Sequence, residues 1–233
     1  MKEAHRWIDW FRTAITGSPL PLDAIGPVAR VQVAFASALV AALLDVLSAW
    51  IGWLDPHLRE QYAAANAAVA HGLGYSAIPM DFAPLGVFAS SLFGGSIAAL
   101  VLWGLGGIVA VRGVVRASVG IGSIATAAIV PLPLVSVVGV VVAVVQVLVG
   151  SVRAVPSLGA LLDPATANVQ LLALASKVEI GSVVHAAVMA RVLLPSHSWK
   201  TVSISAAVAF LVRFALIAGG VFLVARSSGL SSP

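Results

Sequence analysis

The chain has 233 residues, of which 60% are hydrophobic and only 9% charged, against roughly 25% charged in an ordinary soluble domain, so a soluble globular fold is excluded. It has no Cys, which removes disulfides, thiolate metal sites and Cys nucleophiles. Its 13 Lys+Arg against 9 Asp+Glu form no run that could track a nucleic acid. A mean hydropathy of +1.06 with 21 Gly and 12 Pro describes apolar runs divided by helix breakers, the pattern of an all-α, polytopic helical membrane protein. The bias towards Ala, Val, Leu and Arg reads as GC-rich bacterial coding, which places the chain in a bacterial cytoplasmic membrane.

Residues 1–18 read as an interfacial amphipathic helix and not as a signal peptide. On a helical wheel Trp7, Ile8, Phe11, Ala14 and Ile15 share one face and Lys2, Arg6, Asp9 and Arg12 the other, with Trp10 at the border. Trp7, Trp10 and Phe11 are the expected membrane anchors. Gly17, Pro19 and Pro21 end the helix.

Residues 19–226 read as one transmembrane domain of five spans, near 27–54, 82–111, 118–150, 169–194 and 201–225, followed by a short polar tail over 227–233. Each span exceeds the ~20 residues needed to cross a ~30 Å hydrocarbon core. The third holds Pro131 and Pro133 near its middle; it is too short for two crossings and a turn, so one kinked helix is expected. With the N-terminus cytoplasmic, eight cations fall on that side (Lys2, Arg6, Arg12, Arg30, Arg112, Arg116, Arg191, Lys200) and three outside (Arg59, Arg153, Arg226). A six-span division at Pro131 gives the same ratio, so charge fixes the N-terminus and leaves the C-terminus open.

Ahead of the first span stands Asp23-Ala24-Ile25-Gly26-Pro27. This resembles the Asp-Leu-Tyr-Gly-Pro signature of the Yip family (Ypt/Rab-interacting membrane proteins), with Asp23, Gly26 and Pro27 matching and Ala24 and Ile25 departing. Gly122 to Pro131 is loosely similar to the family's Gly-Tyr and Pro in the third span, with Ser123 in place of Tyr. The resemblance implies five spans, a cytoplasmic N-terminus and a membrane partner rather than an enzyme. The family's GTPase contacts do not carry over, because the N-terminal extension here is short and the Tyr positions are missing.

Ionisable groups inside a span cost ~2.5–3.5 kcal/mol each on insertion scales. Depth counting pairs Asp45 with Lys177 and Glu179 with Arg213, as two buried ion pairs tying the fourth helix to the first and fifth. The same four residues could instead line an ion or solute path. His185 could ligate a haem or chlorophyll metal, but a hydrogen bond to a neighbouring helix is the plainer reading, so no cofactor and no metal are expected. No catalytic motif is present. Small residues recur at four-residue spacing in the second span (Gly86, Ser90, Gly94, Ala98, Gly106, Ala110) and in the first (Ala34, Ala38, Ala41, Asp45, Gly52), as close-packing faces for helices of this chain, of a second copy or of other membrane proteins.

The sequence thus points to a non-enzymatic integral membrane protein that organises, or is a subunit of, a larger membrane assembly. A permease or channel component and an accessory subunit of a pigment or redox complex are the alternatives. In a variant retaining only Trp7 and Trp10, lipids labelled at headgroup depth should quench the fluorescence more strongly than lipids labelled at the bilayer centre; water-exposed rings would remove the interfacial helix.

Overall fold

The computed structural model describes Leu22 and residues 25–72, 83–154, 157–162 and 169–227. The segment carrying Trp7, Trp10 and Phe11, Asp23 of the signature, and the tail beyond Ser227 lie outside the described residues.

Helix α1 spans Pro27–Leu54, the bounds the sequence predicts: Gly26 is extended and Pro27 occupies the first turn, where its missing N–H costs nothing. Helix α2, Pro56–Gly72, lies between the expected first and second spans, where the sequence predicts a connection. Its signal was the Asp55-Pro56 pair, since the Asp55 carboxylate accepts from the His57 and Leu58 amides at 2.8 and 3.3 Å. Helix α3 runs over Pro84–Val114 and contains two π-helical stretches, Ser90–Gly95 and Ile108–Val114. Helices α4 (Ile121–Ile129) and α5 (Leu132–Val149) form one apolar stretch interrupted at Val130-Pro131, as Pro131 and Pro133 require. Helices α6 (Val169–Ser176), α7 (Ile180–Leu193) and α8 (Trp199–Ser227) complete the order.

Among the described residues, four helices are long and apolar enough to cross a membrane: Pro27–Leu54, Pro84–Val114, Ile121–Val149 and Trp199–Leu223. The expected span at 169–194 is not one helix, and this corrects the sequence reading. It stops at Ser176 and resumes at Ile180, leaving α7 with 14 residues, about 21 Å at 1.5 Å per residue and short of a ~30 Å core. Glu179 is fully extended at φ −122°, ψ 158°. The unwound backbone is met from outside the helix: Leu158 donates to the Val178 carbonyl at 3.0 Å, and Ser157 bridges Glu179 in antiparallel fashion. The close approach requires Gly159, where a Cβ would meet the Ser176 N and Cα at 3.0 Å.

Helix α1 lies along α4 and α5 in parallel, with Ser37, Ala38, Ala41 and Ala42 buried. Arg30 donates to Ser123 Oγ at 2.8 Å and Ser48 to the Gly139 carbonyl at 3.2 Å. Helix α7 runs antiparallel to that pair, His185 beside Ala128 and Gly181 beside Val135. The ends of α3 and α7 and the starts of α1, α4 and α8 therefore share one end of the bundle. Helix α8 crosses α3 at Gly106, where a Cβ would lie 2.7 Å from the Ala209 carbonyl oxygen.

The expected small-residue face of α3 divides in two. Gly106 and Ala110 are buried, whereas Gly86, Ser90, Gly94 and Ala98 are exposed, and a Cβ at Gly86 or Gly94 meets nothing within 4 Å. The π turn at Ser90–Gly95 takes more residues per turn than an α-helix, so four-residue spacing stops tracking one face there. Gly106→Val should consequently destabilise the protein by about 1–3 kcal/mol through overpacking. Gly94→Ala should be neutral or stabilise by up to about 1 kcal/mol. Thermal unfolding in mild detergent separates the two outcomes.

Candidate functional site

The two interrupted helices meet on α3 and α8. Pro131 and Pro133 withhold the amides that would reach the Ala127 and Ile129 carbonyls, and the Ala128 carbonyl between these two accepts from His185 Nε2 at 3.0 Å. His185 is 2% exposed. Its ring stacks on Trp103 of α3 at 4.3 Å between centroids and 6° between planes. The helix break is closed in a similar way: Arg213 Nη1 donates to the Lys177 carbonyl at 3.3 Å. The Arg213 guanidinium also lies 4.9 Å over the Trp103 ring, a cation–π distance. One aromatic side chain thus touches both groups that close the breaks.

Around this cluster is a cavity of about 150 Å³, lined among others by Gly95, Trp103, Glu179, Ser182, His185 and Arg213. Arg213 is 9% exposed and its buried Nε has no hydrogen-bond partner. The N-terminus of α7 opens on the same cavity through Glu179, Gly181 and Ser182. Glu179 is half-buried, caps nothing with its side chain, and its charge acts on Arg213 across the cavity. The site therefore combines a buried cation, the positive end of a 14-residue helix and one carboxylate. Its walls are largely apolar, with Glu179, Ser182, His185 and Arg213 as the polar groups, and it is large enough for several waters or one small solute.

The four expected ion-pair residues fall out differently from the depth count. Glu179 and Arg213 do face one cavity, but Arg213 finds the Lys177 carbonyl rather than a carboxylate oxygen. Lys177 itself is exposed at the break, and Asp45 is half-buried on α1, which packs on α4 and α5. No ion pair joins Asp45 to Lys177 or Glu179 to Arg213 in the structure. The reason is the break: depth counting assumed a continuous helix, and unwinding 177–179 turns backbone carbonyls towards α8. His185 gives its Nε2 to the Ala128 carbonyl and its ring face to Trp103. Among the described residues no group of three or more His, Asp or Glu could hold a metal ion.

A second polar cluster, which sequence reasoning missed, closes the other end of α5. Gln146, 3% exposed, accepts from the Tyr62 hydroxyl and donates to the Val152 carbonyl at 2.9 Å. Gln61 donates to the Gly150 carbonyl at 3.0 Å and accepts from the Val152 amide at 3.1 Å. Burial pushes the Tyr62 phenol above its ordinary value, against the opposing effect of the Gln146 bond, and keeps it a donor. Gly150 takes the left-handed conformation at φ +69° to end α5. The available signal was a lone Gln within a run of Val.

No protein-family model, curated protein or solved structure matches this chain. The site therefore has to be read on its own geometry. His185→Phe keeps a ring against Trp103 but leaves the Ala128 carbonyl without a donor, and should cost about 1–3 kcal/mol. His185→Gln, which keeps a donor, should cost less. Equal losses of detergent unfolding temperature in the two variants would remove the hydrogen bond from the account.

Proposed function

We propose that this is a non-enzymatic integral membrane protein of permease or channel type, in which the interrupted fourth segment holds the site for a small anion. The observation that carries the reading is Arg213: buried, incompletely hydrogen-bonded and lining, with Glu179 and Ser182, the cavity on which α7 begins. Arg213 lies 14 residues into α8, about 21 Å from its start. Ionisable groups at such depth mark solute paths, and a half-helix N-terminus favours an anionic group. Glu179 lines the same cavity without pairing to Arg213, so an entering anion would find the guanidinium not already held by a carboxylate.

The reading retains five segments within the membrane, four complete and one broken, with the N-terminus cytoplasmic as the cation distribution favours. A second reading is a subunit of a larger assembly, of the Yip type that Asp23, Gly26 and Pro27 resemble. It is favoured by the open small-residue face at Gly86, Ser90, Gly94 and Ala98.

Liposomes containing the protein, shifted into potassium chloride, nitrate or acetate with valinomycin, should swell faster than protein-free liposomes for at least one salt. Arg213→Gln should reduce that rate by about tenfold, in line with losing ~1.4 kcal/mol of binding, and Glu179→Gln should raise it. Swelling equal to that of empty liposomes for every salt, with folded protein, would overturn the permease reading and leave the assembly reading.

A further inference from the structure

Helix α1, the first half of α3 and helix α4 do not close against one another, and a groove of about 460 Å³ runs between them. Its walls are apolar, and Val31, Phe35 and Phe93 on them are 60–68% exposed. The groove thus opens on the outer surface of the bundle, where a membrane helix meets acyl chains. At one end lies Arg30, in the first turn of α1, and from there the α1 wall descends through Ala34 to Ala38, about 12 Å at 1.5 Å per residue. That geometry puts the cation at headgroup depth and the apolar walls at chain depth.

Arg30 is held in place. Its Nη1 donates to Ser123 Oγ at 2.8 Å, and its guanidinium lies against Gly122, where a Cβ would be 3.6 Å from Nη1. The other described cations of this end do not line the groove. Arg112 gives Nε and Nη2 to the Val119 carbonyl, and Arg191 binds the Pro195 carbonyl and covers Trp199. Arg116 and Lys200 are exposed in the turns. All five raise the positive potential at this end, where anionic headgroups are attracted. Ser96, whose buried Oγ has no hydrogen-bond partner, also lines the groove.

We infer that the groove between α1, α3 and α4 is a binding site for one anionic glycerophospholipid, with an acyl chain along the α1 wall and the phosphate on Arg30. The occupant is a lipid because the groove is open to the bilayer and apolar along its length. It is an anionic one because the only described charge lining it is a cation. This site is separate from the Arg213 cavity and independent of the permease reading.

The test is native mass spectrometry of the full chain, released from micelles containing equimolar phosphatidylglycerol and phosphatidylcholine. The protein should retain one phosphatidylglycerol with about tenfold preference, the scale of one favourable charge contact at the membrane surface. Arg30→Gln should abolish the preference, and Lys200→Gln should leave it intact. Ala34→Trp, which fills the groove without touching the Arg30–Ser123 bond, should abolish retention of both lipids. Excess glycerol 3-phosphate, a headgroup without chains, should not displace the lipid. Preference surviving in Arg30→Gln, retention surviving in Ala34→Trp, or displacement by glycerol 3-phosphate would each overturn the site.

Discussion

A backbone carbonyl inside a bilayer has no water to turn to, so every departure from regular helix must be closed by another part of the protein. This chain departs twice within its core. The proline pair opens the Ile121–Val149 stretch, and the unwound residues 177–179 open the fourth segment. Each is closed by a long polar side chain from a neighbouring helix, His185 onto Ala128 and Arg213 onto Lys177. Trp103 then fixes both closing groups by stacking, and the positions of α3, α4, α7 and α8 follow from that arrangement.

The same closures explain why charge is tolerated at this depth. Arg213 is stabilised by a carbonyl, an aromatic face and a carboxylate acting at a distance, rather than by one tight ion pair. A tight pair would satisfy both charges and leave little for a ligand to do. At the opposite end of α5, where the chain leaves the helix through Gly150, neutral amides do the corresponding work: Gln61 and Gln146 meet the exposed turn with no net charge.

Much of the architecture was legible because apolar length is read directly from sequence. The bounds of α1 agree to the residue, and the ends of α3, α5 and α8 fall within a few residues of expectation. The proline interruption was also legible, since it follows from the donors that proline lacks, and so was the hydrogen bond of His185 to a neighbouring helix, the plain expectation for a polar ring in an apolar segment. Three features were not. The break at Lys177 and Glu179 carries no Pro, and its unwound form depends on Ser157 and Leu158, nearly 20 residues earlier in the chain. The π turns of α3 have no composition of their own, and they redirected a small-residue face that assumed regular α spacing. Trp103 gave no signal beyond being aromatic, because its role exists only once α7 and α8 are placed beside it.

The shortness of α7 bears on how the chain enters the bilayer. A 14-residue segment containing His185, with Arg191 in its last turn, has too little apolar length to partition by itself as it leaves the translocon. Helix α8 follows after a five-residue turn and is amply apolar, so the two would have to partition together as a helical hairpin. Arg213 would then reach the membrane interior before its contacts exist, and would gain them only when the hairpin docks on α3 and the proline interruption. Biogenesis of the last third of the protein is in this sense templated by the first two-thirds.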